Sequence, residues 1–127
     1  MKSEEVKAIL SPIYEQAIKD YYDGKLEKAL NDTLHSNAVI VNKGVGAYYG
    51  KKAIMENFSK LVEEFGDVKF EKFNETFCGC ECCLCTSYEL KVDSPKKGKV
   101  KVTVSQIYKK DGDKWKNYHE EFEIHQK

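Results

Sequence analysis

Two parts of this 127-residue chain carry side chains whose type and placement could do chemistry. In the alternating run 115–124, His119 and Glu120 stand side by side. Histidine titrates near neutrality and is the commonest acid–base group. A glutamate taken out of water has a raised pKa and becomes a base usable at neutral pH. A tyrosine hydroxyl beside it, from Tyr14, Tyr88 or Tyr118, would donate to a developing oxyanion. The other part is the run Cys78-Gly79-Cys80-Glu81-Cys82-Cys83-Leu84-Cys85, which holds all five cysteines of the chain. Zinc takes four thiolates as two separated pairs that wrap the ion. Here all five lie within eight residues, along a turn and the start of a strand, so we expect no metal centre. Thiol packing or a redox role fits the run better.

The elements that must position these groups follow from periodicity. Val6, Leu10, Ile13, Ala17 and Tyr21 mark one face of a first helix, which Pro12 either kinks or divides with Ser11 as a second cap. Asp23-Gly24 ends it, and Leu26, Leu30 and Leu34 align on a short second helix. Residues 38–42 form a short strand, and 47–49 a return strand. Ile54, Phe58, Leu61, Val62 and Phe65 recur at helical spacing on a third helix. Four strands then follow. The first, 68–77, alternates poorly, which predicts a bulge. The last two are joined by Asp111-Gly112, a strong hairpin signal. Helices first and antiparallel strands after them make an α+β chain, read as a single domain over 1–127.

Alternation also assigns faces. In the fourth-strand run Leu84, Thr86, Tyr88 and Leu90 share the apolar side; in the next, Val100, Val102, Val104, Gln106 and Tyr108 do. In the last, the even set contains Tyr118, Glu120, Phe122 and Ile124, although Trp115 sits in the odd set. The expected lining of a pocket is therefore Tyr14, Tyr88, Gln106, Tyr118, Glu120 and Phe122. Glu120 is the candidate base. His119 falls on the opposite face, toward solvent or a second copy. Gln106 and Glu120 on an inward face must find hydrogen bonds or cost roughly 1–3 kcal/mol each.

Composition excludes several classes. The 21 basic residues, all lysine, balance 21 acidic ones, so no net field draws the chain to nucleic acid or to a membrane. With no arginine there is no bidentate fork for phosphates or guanine edges. No segment is long and apolar enough to span a bilayer, and residues 1–7 lack the apolar stretch of a signal peptide. A cytoplasmic protein with reduced thiols, without a cofactor, is the expectation.

The Asp23-Gly24-Lys25-Leu26 turn, the glycine-led Tyr49-Gly50-Lys51-Lys52-Ala53-Ile54 and the closing hairpin 105–119, with its Trp115-x-Asn117-x-His119 strand, resemble the nuclear-transport-factor-2-like (NTF2-like) superfamily. Within it, the SnoaL-like and DUF4440-type branch and the association domain of calcium/calmodulin-dependent kinase II are the most similar. The resemblance implies a cone-shaped α+β fold, three N-terminal helices packed on a curved, mostly antiparallel sheet, with a pocket between them. It further implies a homodimer through the outer face of the sheet. The function expected first is a non-catalytic module that binds a small apolar ligand or assembles copies of itself; the alternative is cofactor-independent isomerase, dehydratase or cyclase chemistry in the pocket. The association domain holds a carboxylate with inward arginines. The matching positions here are Gln106, Tyr88 and Phe122, so that ligand preference does not transfer. Glu121 stands where relatives carry a second histidine, and no aspartate occupies the base position of the steroid isomerases.

Overall fold

A computed structural model describes residues 1–126. Three helices and six strands succeed one another as α1 (Ser3–Tyr22), α2 (Leu26–Thr33), β1 (Leu34–Asn42), β2 (Gly46–Tyr49), α3 (Gly50–Phe65), β3 (Lys69–Gly79), β4 (Leu84–Ser94), β5 (Gly98–Asp111) and β6 (Lys114–His125). The strands make one open, curved sheet in the order β2-β1-β6-β5-β4-β3. Every neighbouring pair is antiparallel except β1 and β6, which run parallel. The three helices pack on its inner face.

The first helix is continuous through Pro12. Proline removes one helical N–H, and the carbonyl four residues earlier loses its donor. Here both Pro12 and Ala8 are exposed, so water takes that carbonyl and the helix need not divide. Lys2 is its capping residue, and the Lys2 N–H donates to Glu5 Oε1 at 3.2 Å. Asp20, buried near the far end, accepts from Gln16 (3.1 Å) and Lys28 (3.0 Å). The Lys28 hydrogen bond holds the Asp20 carboxyl below its usual range and ties α2 to α1.

Two irregularities shape the sheet. In β3 the pairing with β4 slips between Phe73 and Thr76, where Asn74 adopts φ +53°. This is the bulge that the poor alternation of that strand implies, and asparagine is among the few residues other than glycine that tolerate it. In β6 the pairing with β5 slips between Ile107 and Tyr108, which oppose His119 and Asn117. Tyr118 is the extra residue. The slip reverses the alternation within one strand: Asn117 is buried before it, and Glu120 and Phe122 are buried after it. It also resolves Trp115, which faces inward from the odd set because the bulge lies between it and the even one.

The apolar interior has two centres. One gathers Leu34, Ala38, Ile40, Ile54, Tyr88, Val104 and Phe122 beneath α2 and α3. The other gathers Val6, Leu10, Leu84 and Tyr108, with Ile13, Phe77 and Trp115 packed against them. The first half of α1 covers the second centre. The second half of α1 forms one wall of the space between helices and sheet.

Candidate functional site

That space lies between the inner face of the sheet and the three helices. All three helices line it with the same spacing: Tyr14, Ala17, Ile18 and Tyr21 from α1, Leu26, Ala29, Leu30 and Thr33 from α2, and Phe58, Leu61, Val62 and Phe65 from α3. Each set is an i, i+3, i+4, i+7 stripe, the face a helix presents to one side. The floor comes from successive inward rungs of the sheet. Tyr88, Val104 and Phe122 form one rung; Leu90, Val102 and Ile124 form the next; Val92 and Val100 follow. The cavity is about 300 Å³. Its lining is apolar apart from Thr33, the tyrosine hydroxyls and one charged group, Glu120.

Glu120 is 8% exposed and sits in the rung Ile40–Glu120–Gln106–Thr86. Its Oε1 accepts from Gln106 Nε2 at 2.6 Å and from Asn117 Nδ2 at 3.1 Å. Tyr108 donates its hydroxyl to Gln106 Oε1 at 3.2 Å, which orients the glutamine amide so that its nitrogen faces the carboxylate. Among the described residues, Oε2 has no hydrogen-bond partner, and it belongs to the group that lines the cavity. Burial pushes the Glu120 carboxyl pKa up; the two amide hydrogen bonds and the nearby His119 oppose this without cancelling it. Among the described residues no lysine pairs with it. The tyrosines around it are held in the neutral, donating form: burial and then the Glu120 charge raise Tyr88 well above its ordinary value, and burial pushes Tyr14 up to about 12.

Tyr14 and Tyr88 meet edge to face with centroids 5.7 Å apart. Lys72 closes this end from outside, its ammonium 3.9 Å from the Tyr14 centroid and 5.0 Å from that of Tyr88, while pairing with Glu75 at 3.0 Å. The β3 bulge puts Glu75 between Lys72 and Lys7 of α1, 2.9 Å away. Neither the cation over the rings nor the bulge-borne carboxylate is readable from spacing, because the bulge sets their directions.

The structure therefore brings Tyr14, Tyr88, Glu120 and Phe122 together around one cavity. Gln106 does not line it; it lies behind Glu120 and acts through it. Tyr118 is displaced from its expected place, because as the bulge residue it packs against His35 (centroids 5.0 Å apart) and under Lys109 (4.8 Å). His119 is on the outer face, 3.3 Å from Glu121 Oε2. Asn117, hidden in the odd set, is the site residue that alternation misses; the only hint was the inward-seeking Trp115 two positions before it. Tyr21 lines the cavity, whereas Tyr22 stacks on Phe70 at 5.6 Å and is half exposed.

No protein-family model and no curated protein matches this sequence. Solved structures do match in fold. An NTF2-like protein of unknown function from Pseudomonas putida superposes with a TM-score of 0.81 at 12% identity, over 97% of this chain and 89% of that one. Aln2 from a Streptomyces species gives 0.81 at 14% identity, over 97% and 93%. A ketosteroid isomerase-like protein from Erwinia carotovora gives 0.72 at 12% identity, over 92% and 94%. The chain thus has the NTF2-like fold, the α+β cone that its hairpin residues resemble. No helix among the described residues is long and apolar enough to cross a membrane.

Proposed function

We propose that this chain binds a small, mostly apolar molecule carrying one hydrogen-bond donor in the cavity between helices and sheet, with Glu120 as its polar anchor. One observation carries the reading: a buried carboxylate has one oxygen held by two amides and the other uncommitted, in a cavity otherwise lined by hydrocarbon and rings. Apolar walls supply affinity, and a single convergent polar group supplies orientation. A volume of about 300 Å³ suits a ligand of up to about three rings. In this reading Tyr14, Tyr88 and Phe122 are walls, Glu120 is the contact and Gln106 is a positioning residue.

A neutral fluorophore such as N-phenylnaphthylamine tests it. Fluorescence should rise on mixing with the protein, and Ala17→Phe, which fills the cavity from α1, should weaken binding at least tenfold. Unchanged binding by that variant sinks the proposal. A secondary amine of this kind can donate to Glu120 Oε2, so Glu120→Gln should weaken binding severalfold, less than Ala17→Phe does.

The raised pKa of Glu120 favours a second reading, in which the same carboxylate removes a proton from a carbon acid and the Tyr14 or Tyr88 hydroxyl supports the resulting oxyanion. The fold likeness to a ketosteroid isomerase-like protein agrees with isomerase chemistry, as the dehydratase and cyclase alternatives would. Glu120→Gln separates the readings: it abolishes exchange of the acidic protons of a small cyclic ketone in heavy water if the site is catalytic, and changes only affinity if it is not.

We infer also that two copies pair through the outer face of the sheet. One rung of that face runs Val39–His119–Ile107–Cys85, and Ile107 is 37% exposed there. Light scattering at micromolar concentration should return twice the chain mass, and Ile107→Lys should return the single mass; a monomer before substitution overturns the pairing.

A further inference from the structure

Outside the cavity, the densest set of reactive side chains is at the tip of the β3–β4 hairpin. Cys78 and Cys85 are directly opposed in the ladder. Two residues on, Cys80 N–H donates to Cys83 O at 2.9 Å. With Gly79 paired to Leu84 on the preceding rung, this bond holds the Cys80 and Cys83 backbones close together, as a disulfide spanning about 4.4–6.8 Å between Cα atoms requires. Gly79 permits the closure: a Cβ there would stand 2.7 Å from Cys83 O and 2.9 Å from Leu84 Cα. The tip is also accessible. The last rung that β4 shares with β5 is Leu84–Tyr108, so Cys80 and Cys83 lie beyond it, and Cys80 is exposed while Cys83 is half-buried.

We propose that this tip is a thiol–disulfide exchange site for small disulfides of the glutathione type, with Cys80 as the attacking thiolate and Cys83 as the resolving thiol. The residues differ in a way that suits the division. Hydrogen bonding from the Cys82 and Cys83 backbone holds the Cys80 thiol pKa below its usual value, whereas burial pushes Cys85 up to about 11 and keeps it a thiol. The first step breaks the S–S bond of the small disulfide: Cys80 sulfur bonds to one half, and the other half leaves as a thiolate with the electron pair. In the second step Cys83 loses its proton to solvent and attacks the Cys80 sulfur, expelling the second small thiolate. The protein gives up two electrons and two protons and ends with a Cys80–Cys83 bridge; the small disulfide gains both pairs and ends as two thiols.

The test incubates the reduced full chain with mixtures of reduced and oxidised glutathione, blocks free thiols, and cleaves after glutamate. Glu81 lies between Cys80 and Cys82, so cleavage separates the two partners and a bridge is read as a linked pair of peptides. Fragmentation then assigns the sulfur. The expected result is a Cys80–Cys83 bridge in the native chain, and in Cys83→Ser one glutathione trapped on Cys80. Cys80→Ser should show neither, and Cys78→Ser should keep the bridge. Glutathione spread evenly over the exposed Cys78, Cys80 and Cys82, or no adduct on Cys80 in Cys83→Ser, overturns the proposal. Circular dichroism confirms that each variant is folded, so a missing bridge reports on chemistry.

Discussion

Replacing Gln106 by leucine is expected to destabilise the protein by about 2–4 kcal/mol at pH 8. The glutamine amide does two things at once. Its nitrogen donates to a buried carboxylate at 2.6 Å, and its oxygen accepts from the buried Tyr108 hydroxyl at 3.2 Å. Leucine fits the volume and serves neither. The larger part of the loss is the half-uncompensated charge, so it should largely disappear in Gln106→Leu combined with Glu120→Leu, where no charge remains. Its dependence on pH follows from the sign of the Glu120 shift. The folded carboxyl has a pKa above its unfolded value, so between the two the folded chain binds more protons and stability falls as pH rises. Gln106→Leu removes a group that opposes the shift, so it should raise that pKa further. The cost of the substitution should therefore be small at pH 4, grow as pH rises and level off once the folded carboxyl is ionised. Urea unfolding at several pH values reads it directly; a cost that is the same at pH 4 and pH 8 would show that the charge is not the cause.

The second large effect separates filled core from unfilled cavity. Ile54 and Leu61 lie two turns apart on α3 and both belong to the cluster beneath α2 and α3. Ile54 is wholly buried, with neighbours on every side. Leu61 is half-buried and lines the cavity. Ile54→Ala should cost about 2–5 kcal/mol, the usual price of removing a packed aliphatic side chain. Leu61→Ala should cost about 1–2 kcal/mol, because part of its surface already lacks partner atoms and truncation forfeits fewer contacts. Equal costs would mean that the cavity is closed in solution, and with it the ligand-binding reading would fall. The comparison therefore tests the site without needing to know the ligand.

Much of this was legible in the chain itself. The spacing of apolar residues defines three helices, and the Asp111-Gly112 turn defines the last hairpin, because both signals are local and repeat with the geometry of the element. Alternation put Glu120 and Phe122 indoors and His119 outdoors, which is how the structure has them. It failed at Tyr118 and Asn117 because one bulge residue changes the phase of the strand, and nothing local distinguishes a bulge from a register that merely looks untidy. For the thiols the sequence placed the run at a turn and the start of a strand, and only pairing across the hairpin set Cys80 against Cys83 and Cys78 against Cys85.

By itself the sequence determined the element order, the fold class and the residue types that reach the interior, since these rest on periodicity and on turns that a few neighbours specify. Only the tertiary structure decided which polar groups meet. That Gln106 stands behind Glu120 rather than on the cavity wall, that Asn117 joins it and Tyr118 does not, and that one oxygen of Glu120 has no partner among the described residues all depend on register between strands distant in the chain. Register is set by the sum of contacts over the whole sheet, and no window of sequence contains that sum.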